Sequence, residues 1–219
     1  MAKKEEKKKS GAFKMPEDIK GVEFTTPRAI GAFLHLFEPH KATEDSKPKY
    51  SCTLLWDKKA DLKEMRKHID AAAAEVFGTD KTKWPKPSPT TGRGGLLLPW
   101  RDGNEKADFN GYEGRWYVSC QSGNKPIIVD RDKNKIEVES EIYAGILCHA
   151  RVRAKVTEAG GNYFVTLYLQ GFMKWDDGEP LSGGGCNVEE AFGHITDDEE
   201  SSQTDEDTES SDDDDDFLS

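Results

Sequence analysis

Cysteine is scarce in this chain: there are four in 219 residues, Cys52, Cys120, Cys148 and Cys186, set far apart. Neither the close pairs of a zinc site nor the dense spacing of a disulfide scaffold is present, so the thiols read as reduced and mostly buried, as in a cytosolic protein. Long apolar runs are missing as well. No stretch of about 18 apolar residues occurs, so no membrane-spanning helix is expected. The basic start, Met1-Ala-Lys-Lys-Glu-Glu-Lys-Lys-Lys, lacks the apolar segment of a secretion signal.

Catalytic signals are equally sparse. His35, His40, His68, His149 and His194 show no metal-ligand spacing, and Gly183-Gly-Gly lacks the following Lys-Ser or Lys-Thr of a phosphate-binding loop. Asp102, Asp108, Asp130 and Asp132 could be imagined as a nuclease cluster. Yet Asp102-Gly-Asn and Asp130-Arg-Asp-Lys-Asn have the chemistry of turns. The expectation is a protein that is not an enzyme, with no metal and no cofactor.

The formal net charge of -11 looks hostile to nucleic acid until it is located: residues 197–219 hold 13 of the 42 acids and no Lys or Arg. The other 196 residues carry 31 basic against 29 acidic side chains. An acidic run with almost no apolar residues cannot offset its own ordering entropy, so 197–219 is expected to be a disordered tail. Residues 1–20 read as a flexible basic segment. The span 21–196 is long enough for one well-packed domain.

Within that domain, residues 22–38 and 50–56 are β-favouring and read as paired strands across a basic loop. Asp61-Leu-Lys-Glu64 matches a capping box, and Leu62, Met65, Ile69, Ala72, Ala73 and Val76 recur at helical spacing until Gly78 supplies a stop. Residues 79–110, rich in Trp, Pro, Lys, Gly and Arg, read as a long functional loop. Strands follow at 115–121, 127–130, 145–156 and 163–174, the last two forming a hairpin around Ala159-Gly-Gly. The order predicts a mainly β fold, a small Greek-key barrel with one inserted α-helix.

The functional signal lies on that hairpin. Arg151, Arg153 and Lys155 alternate with Ala150, Val152, Ala154 and Val156, so a two-residue period puts the three cations on one face. A turn with an even number of residues would add Phe164, Tyr168 and Phe172 to that face; an odd turn would send these rings into the core instead. Cations interleaved with exposed rings suit single-stranded nucleic acid, since cations track phosphates and each ring stacks on an unpaired base for roughly 1–3 kcal/mol. The bland alternative is that the rings pack under the helix and the cations simply face water.

Arg115 and Tyr117 share a strand face opposite to Trp116 and Val118, and so join the DNA-contact candidates while Trp116 packs. Lys86 and Arg93 join them from the long loop. Trp84, Trp100, Arg101 and Tyr112 supply further rings and charge, several of them core. The tail ends in Asp212, Asp213, Asp214, Asp215 and Asp216 followed by Phe217 and Leu218. An apolar tip does nothing for solubility and points to docking: the acids steer toward a basic surface and the ring fills a pocket.

Taken in order, Phe24-Thr-Thr-Pro-Arg, the stretch 50–56, the helix end Val76-Phe-Gly, Tyr112-Glu-Gly-Arg-Trp, Lys125-Pro-Ile-Ile-Val-Asp, Tyr143-Ala-Gly and Glu189-Glu-Ala-Phe192 resemble the phage single-stranded DNA-binding proteins of the Enc34 type, and more distantly the T7 type. The resemblance implies an OB-fold that binds single-stranded DNA without sequence preference, with a role in phage replication, recombination or repair inside the bacterial host cytoplasm. It also implies that the acidic tail recruits replication enzymes such as a polymerase, helicase or primase. It leaves oligomeric state open, a homodimer included. The rival reading is an acidic-tailed interaction protein or DNA mimic whose barrel is a scaffold.

Overall fold

Strand boundaries follow the alternation of apolar residues closely in the computed structural model, which describes residues 15–181. In chain order the elements are β1 (Val22–Thr25), β2 (Ala29–His40), β3 (Lys49–Asp57), α1 (Lys63–Phe77), β4 (Leu96–Leu97), β5 (Arg101–Asp102), β6 (Arg115–Ser122), β7 (Ile127–Val129), β8 (Leu147–Ala159) and β9 (Asn162–Asp176). The first β segment of the sequence is two strands, not one. Thr26 breaks it: its side-chain oxygen accepts from the Ala150 amide, and its own amide donates to the Ala150 carbonyl.

Five strands close a barrel. β2 pairs with β3, β3 with β6, β6 with β9, β9 with β8, and β8 returns to β2. All of these pairings are antiparallel except β6 with β9. This is the Greek-key order of an OB-fold, in which closure removes the exposed edges of a small sheet. β1 extends β8, while β4 and β7 lie parallel to β9.

Inside the barrel, Leu54, Val118, Cys120, Cys148, Val152 and Leu167 are among the buried residues of one main core. The thiols of Cys52, Cys120 and Cys148 are free and buried. Burial pushes the Cys148 thiol well above its ordinary value, and its neighbour Cys52 does the same to Cys120. These are inert packing groups. Cys186 lies outside the described residues.

The helix buries the face its spacing foretells, through Met65, Ile69, Ala72 and Ala73. Its start differs from a capping box, because Asp61 stands one residue too early and its carboxylate accepts from the Lys63 amide. Gly78, at φ +80°, ends the helix, where its amide donates to the Ala74 carbonyl. Glu75 pins the chain that enters β1 by accepting from the backbone amides of Lys20 and Gly21. No helix among the described residues is long and apolar enough to cross a membrane.

Candidate nucleic-acid interface

The β8–β9 hairpin turns through two residues, Gly160 and Gly161, both at positive φ. The turn is therefore even, and Thr157 pairs with Phe164, Lys155 with Thr166 and Arg153 with Tyr168. Phe164 and Tyr168 stand on the outer face with the cations, while Val165, Leu167 and Leu169 are buried. Tyr168 is 37% exposed.

Phe172 does not join them. Val152 pairs with Leu169 but Arg151 pairs with Gly171, so Gln170 is an extra residue on β9. This β-bulge shifts the register by one and exchanges the two faces beyond it. Phe172 consequently pairs with Ala150 and lies in the core at 2% exposure, and the outer face continues through Gly171 and Met173. A second extra residue, Trp175, sits between the Cys148–Lys174 and Leu147–Asp176 pairs. Trp175 is the outer-face ring that alternation alone does not find.

Three hollows run end to end along this face. The first, about 610 Å³, is lined by Lys49, Arg101, Lys106, Tyr117, Phe164 and Tyr168, among others. Tyr168 also lines the second, about 460 Å³, together with Lys125, Arg153 and Lys155. Gln170 joins that one to the third, about 510 Å³, where Arg151, His149, Ile127 and Trp175 meet. Lys49, which ends the basic loop and opens β3, belongs to this surface, as do Lys106 and Lys125, which no sequence pattern singles out. The signal of those two is absent locally, because they arrive from separate loops.

The hairpin arginines are not bare. Glu23, brought opposite Arg153 by the β1–β8 register, accepts from Arg151 Nη2 at 3.1 Å, from Arg153 Nε at 2.8 Å and from Gln170 Nε2 at 2.9 Å. The Gln170 amide, then the Arg153 guanidinium, hold its carboxyl down from the ordinary 4.5 to about 2. A depressed carboxyl stabilises the fold fully above its ordinary value and loses that contribution as the pH falls through 4.5 toward 2. Lys155 makes no ion pair among the described residues.

The remaining sequence candidates are placed unevenly. Tyr117 points outward as alternation requires, yet it is only 6% exposed: Arg101 on β5 pairs with it, and the Lys106 ammonium stands 5.2 Å from its ring. It is the floor of the first hollow rather than a free platform. Arg115 is committed, with Nε donating to Asp57 at 3.1 Å and Nη1 to the Gly111 carbonyl at 2.7 Å. Trp116 packs against the main core. Lys86 and Arg93 are exposed but line none of the three hollows; Arg93 belongs to a loop clipped to the hairpin tip, where the Gly94 amide donates to the Gly161 carbonyl. Asp212 to Asp216 and Phe217 lie outside the described residues. No group of three or more metal-ligating side chains occurs among the described residues.

A closed Greek-key barrel whose outer face carries rings among cations defines an OB-fold protein of the nucleic-acid-binding kind. The family model described as the Enterobacter phage Enc34 ssDNA-binding protein matches residues 25–206, and the chain belongs to that family. Among solved structures, the Enc34 protein in complex with ssDNA is 21% identical with a TM-score of 0.59, covering 79% of this chain and 100% of that one. A second structure of the Enc34 protein gives 22% identity and a TM-score of 0.56 over 81% of this chain and 97% of that one. The single-stranded DNA-binding protein encoded by bacteriophage T7 gives 13% and 0.51 over 81% and 96%. At these identities the likeness establishes the fold. A comparison with curated sequences gives no match.

Proposed function

We propose that this protein coats single-stranded DNA without sequence preference during phage replication, recombination or repair, and acts by binding rather than catalysis. The observation that carries the reading is the end-to-end run of hollows on the barrel face, with Tyr168 at the junction of two of them and Lys155, Arg153 and Arg151 alongside. Phosphates follow the cations while bases stack on Tyr168 and Phe164. A duplex offers no free base faces to such a surface. The test is binding of oligo-dT against a duplex of equal length; equal affinities would end the reading.

Glu23 competes with phosphate for the two arginines. Glu23→Gln should tighten oligo-dT binding by roughly two- to fivefold at low salt, the scale of an exposed ion pair. Lowering the pH cannot substitute for the mutation, because a carboxyl held at about 2 stays ionised wherever the protein is studied. Weaker binding by this variant would show instead that Glu23 orients the guanidinium groups for the strand.

The acidic tail, 197–219, recruits a polymerase, helicase or primase through its run of Asp and the Phe217 tip. Thirteen carboxylates joined to the domain by the chain itself act at an effective concentration near the millimolar range. They compete with DNA for basic groups when screening is weak. Removing 197–219 should tighten DNA binding by about tenfold at low salt, converge with the full chain as salt rises, and abolish recruitment. Identical affinities at low salt would reduce the tail to a tether.

A further inference from the structure

The third hollow differs in kind from the other two. Its walls are Ile127, Val129, Met173 and Trp175, and Ile127 is 67% exposed, an apolar side chain left open beside a cationic track. Its floor passes under Gly171, which pairs with both Arg151 and Ile127 and carries no side chain to fill the space. Trp175 reaches it because the bulge at Gln170 puts Gly171, Met173 and Trp175 on the outer face, and the second bulge leaves Trp175 without a partner on β8.

That ring is held from two sides. The Arg131 guanidinium lies 4.5 Å from its centroid, and the His149 ring meets it edge-on at 5.2 Å. His149 is itself fixed, its Nδ1–H donating to the Thr26 carbonyl at 2.8 Å. A prearranged apolar slot of about 510 Å³ falls within the range of sites that take a small planar molecule. Arg151 stands at its mouth, and Gln170 joins it to the cationic hollow next door.

We propose that this slot takes one unstacked base of the bound strand, with Arg151 on the adjoining phosphate and Trp175, Met173 and Ile127 around the base. The inference rests on the groove reading above and adds a second, different kind of base site to it. On Tyr168 a base lies against a single exposed ring; in the slot a base leaves the stack and lies among several apolar side chains, which anchors one end of the strand. An apolar side chain of a partner protein would fit the walls equally well, but it would bring no phosphate to compete with Glu23 for Arg151 and would not explain the continuity with the track.

The test uses the full chain and oligo-dT carrying a single 5-iodouracil, irradiated and mapped by peptide mass spectrometry. Crosslinks are expected at Trp175 or Met173 in addition to Tyr168. Trp175→Ala and Ile127→Asp should each weaken oligo-dT binding by about 5- to 150-fold, the range of one lost base contact, while Trp175→Phe retains most of the affinity. Ile127 is too exposed for its replacement to melt the core, so that variant reads binding even if Trp175→Ala folds poorly. Crosslinks confined to Tyr168, with Ile127→Asp binding like the parent, would overturn the slot and leave the groove reading standing. Crosslinks at neither place would overturn both.

Discussion

Raising the salt concentration from about 50 to about 200 mM should weaken binding of oligo-dT by roughly 100- to 300-fold, because each phosphate neutralised on a single strand contributes about 0.7 to the slope of log affinity against log salt. The estimate follows from the cations on the track. Lys49, Lys106, Lys125, Arg151, Arg153 and Lys155 line its hollows together with Arg101, which is partly committed to the Leu98 and Trp100 carbonyls, and the Glu23 carboxylate offsets one of the charges of Arg151 and Arg153. That leaves about five or six phosphate contacts, and a fourfold rise in salt raised to the corresponding power gives the range. The measurement is a salt series by fluorescence anisotropy with the tail removed, so that its own screening does not enter. Glu23→Gln should steepen the slope by about 0.7, since it restores one cation to the strand. A slope corresponding to one or two contacts would mean that the strand crosses the face instead of following it.

What could be read in the sequence was whatever depends on local period. The helix face at Met65, Ile69, Ala72 and Ala73, the outward cations of β8 and the outward Phe164 and Tyr168 all follow from spacing plus one two-residue glycine turn. Phe172 was lost to a single inserted residue: alternation carries no memory of register once Gln170 is unpaired. A local hint exists, since Gly171 lies inside a strand and such glycines often mark bulges. Glu23 was beyond reach for a different reason. Its partnership with Arg153 depends on β1 pairing with β8 across most of the chain, and no period within either strand encodes that contact. Tyr117 shows a third limit, because alternation assigns a face but not what covers it, and β5 covers it. Lys86 and Arg93 stand out by composition alone, which does not place a loop.

Phe172→Ala and Tyr168→Ala, four residues apart on one strand, should fail in opposite ways. Phe172 is 2% exposed within the main core and pairs with Ala150 and Ile128 on its two sides. Truncating a buried Phe removes its transfer energy and leaves a cavity, at a cost of about 3–5 kcal/mol. In a domain of this size that lowers the melting temperature by roughly 6–20 °C. Binding by the fraction still folded should change little, since the ring never faces the track. Tyr168 is 37% exposed at the junction of two hollows, so its truncation leaves no cavity and should scarcely move the melting temperature. It should instead weaken oligo-dT binding by about 1–3 kcal/mol, the worth of one stacking platform. Thermal melts and binding isotherms on the same two variants separate the effects. If Phe172→Ala melts like the parent and loses DNA, β9 has no bulge at Gln170, and the outer face runs in unbroken alternation to the end of the strand.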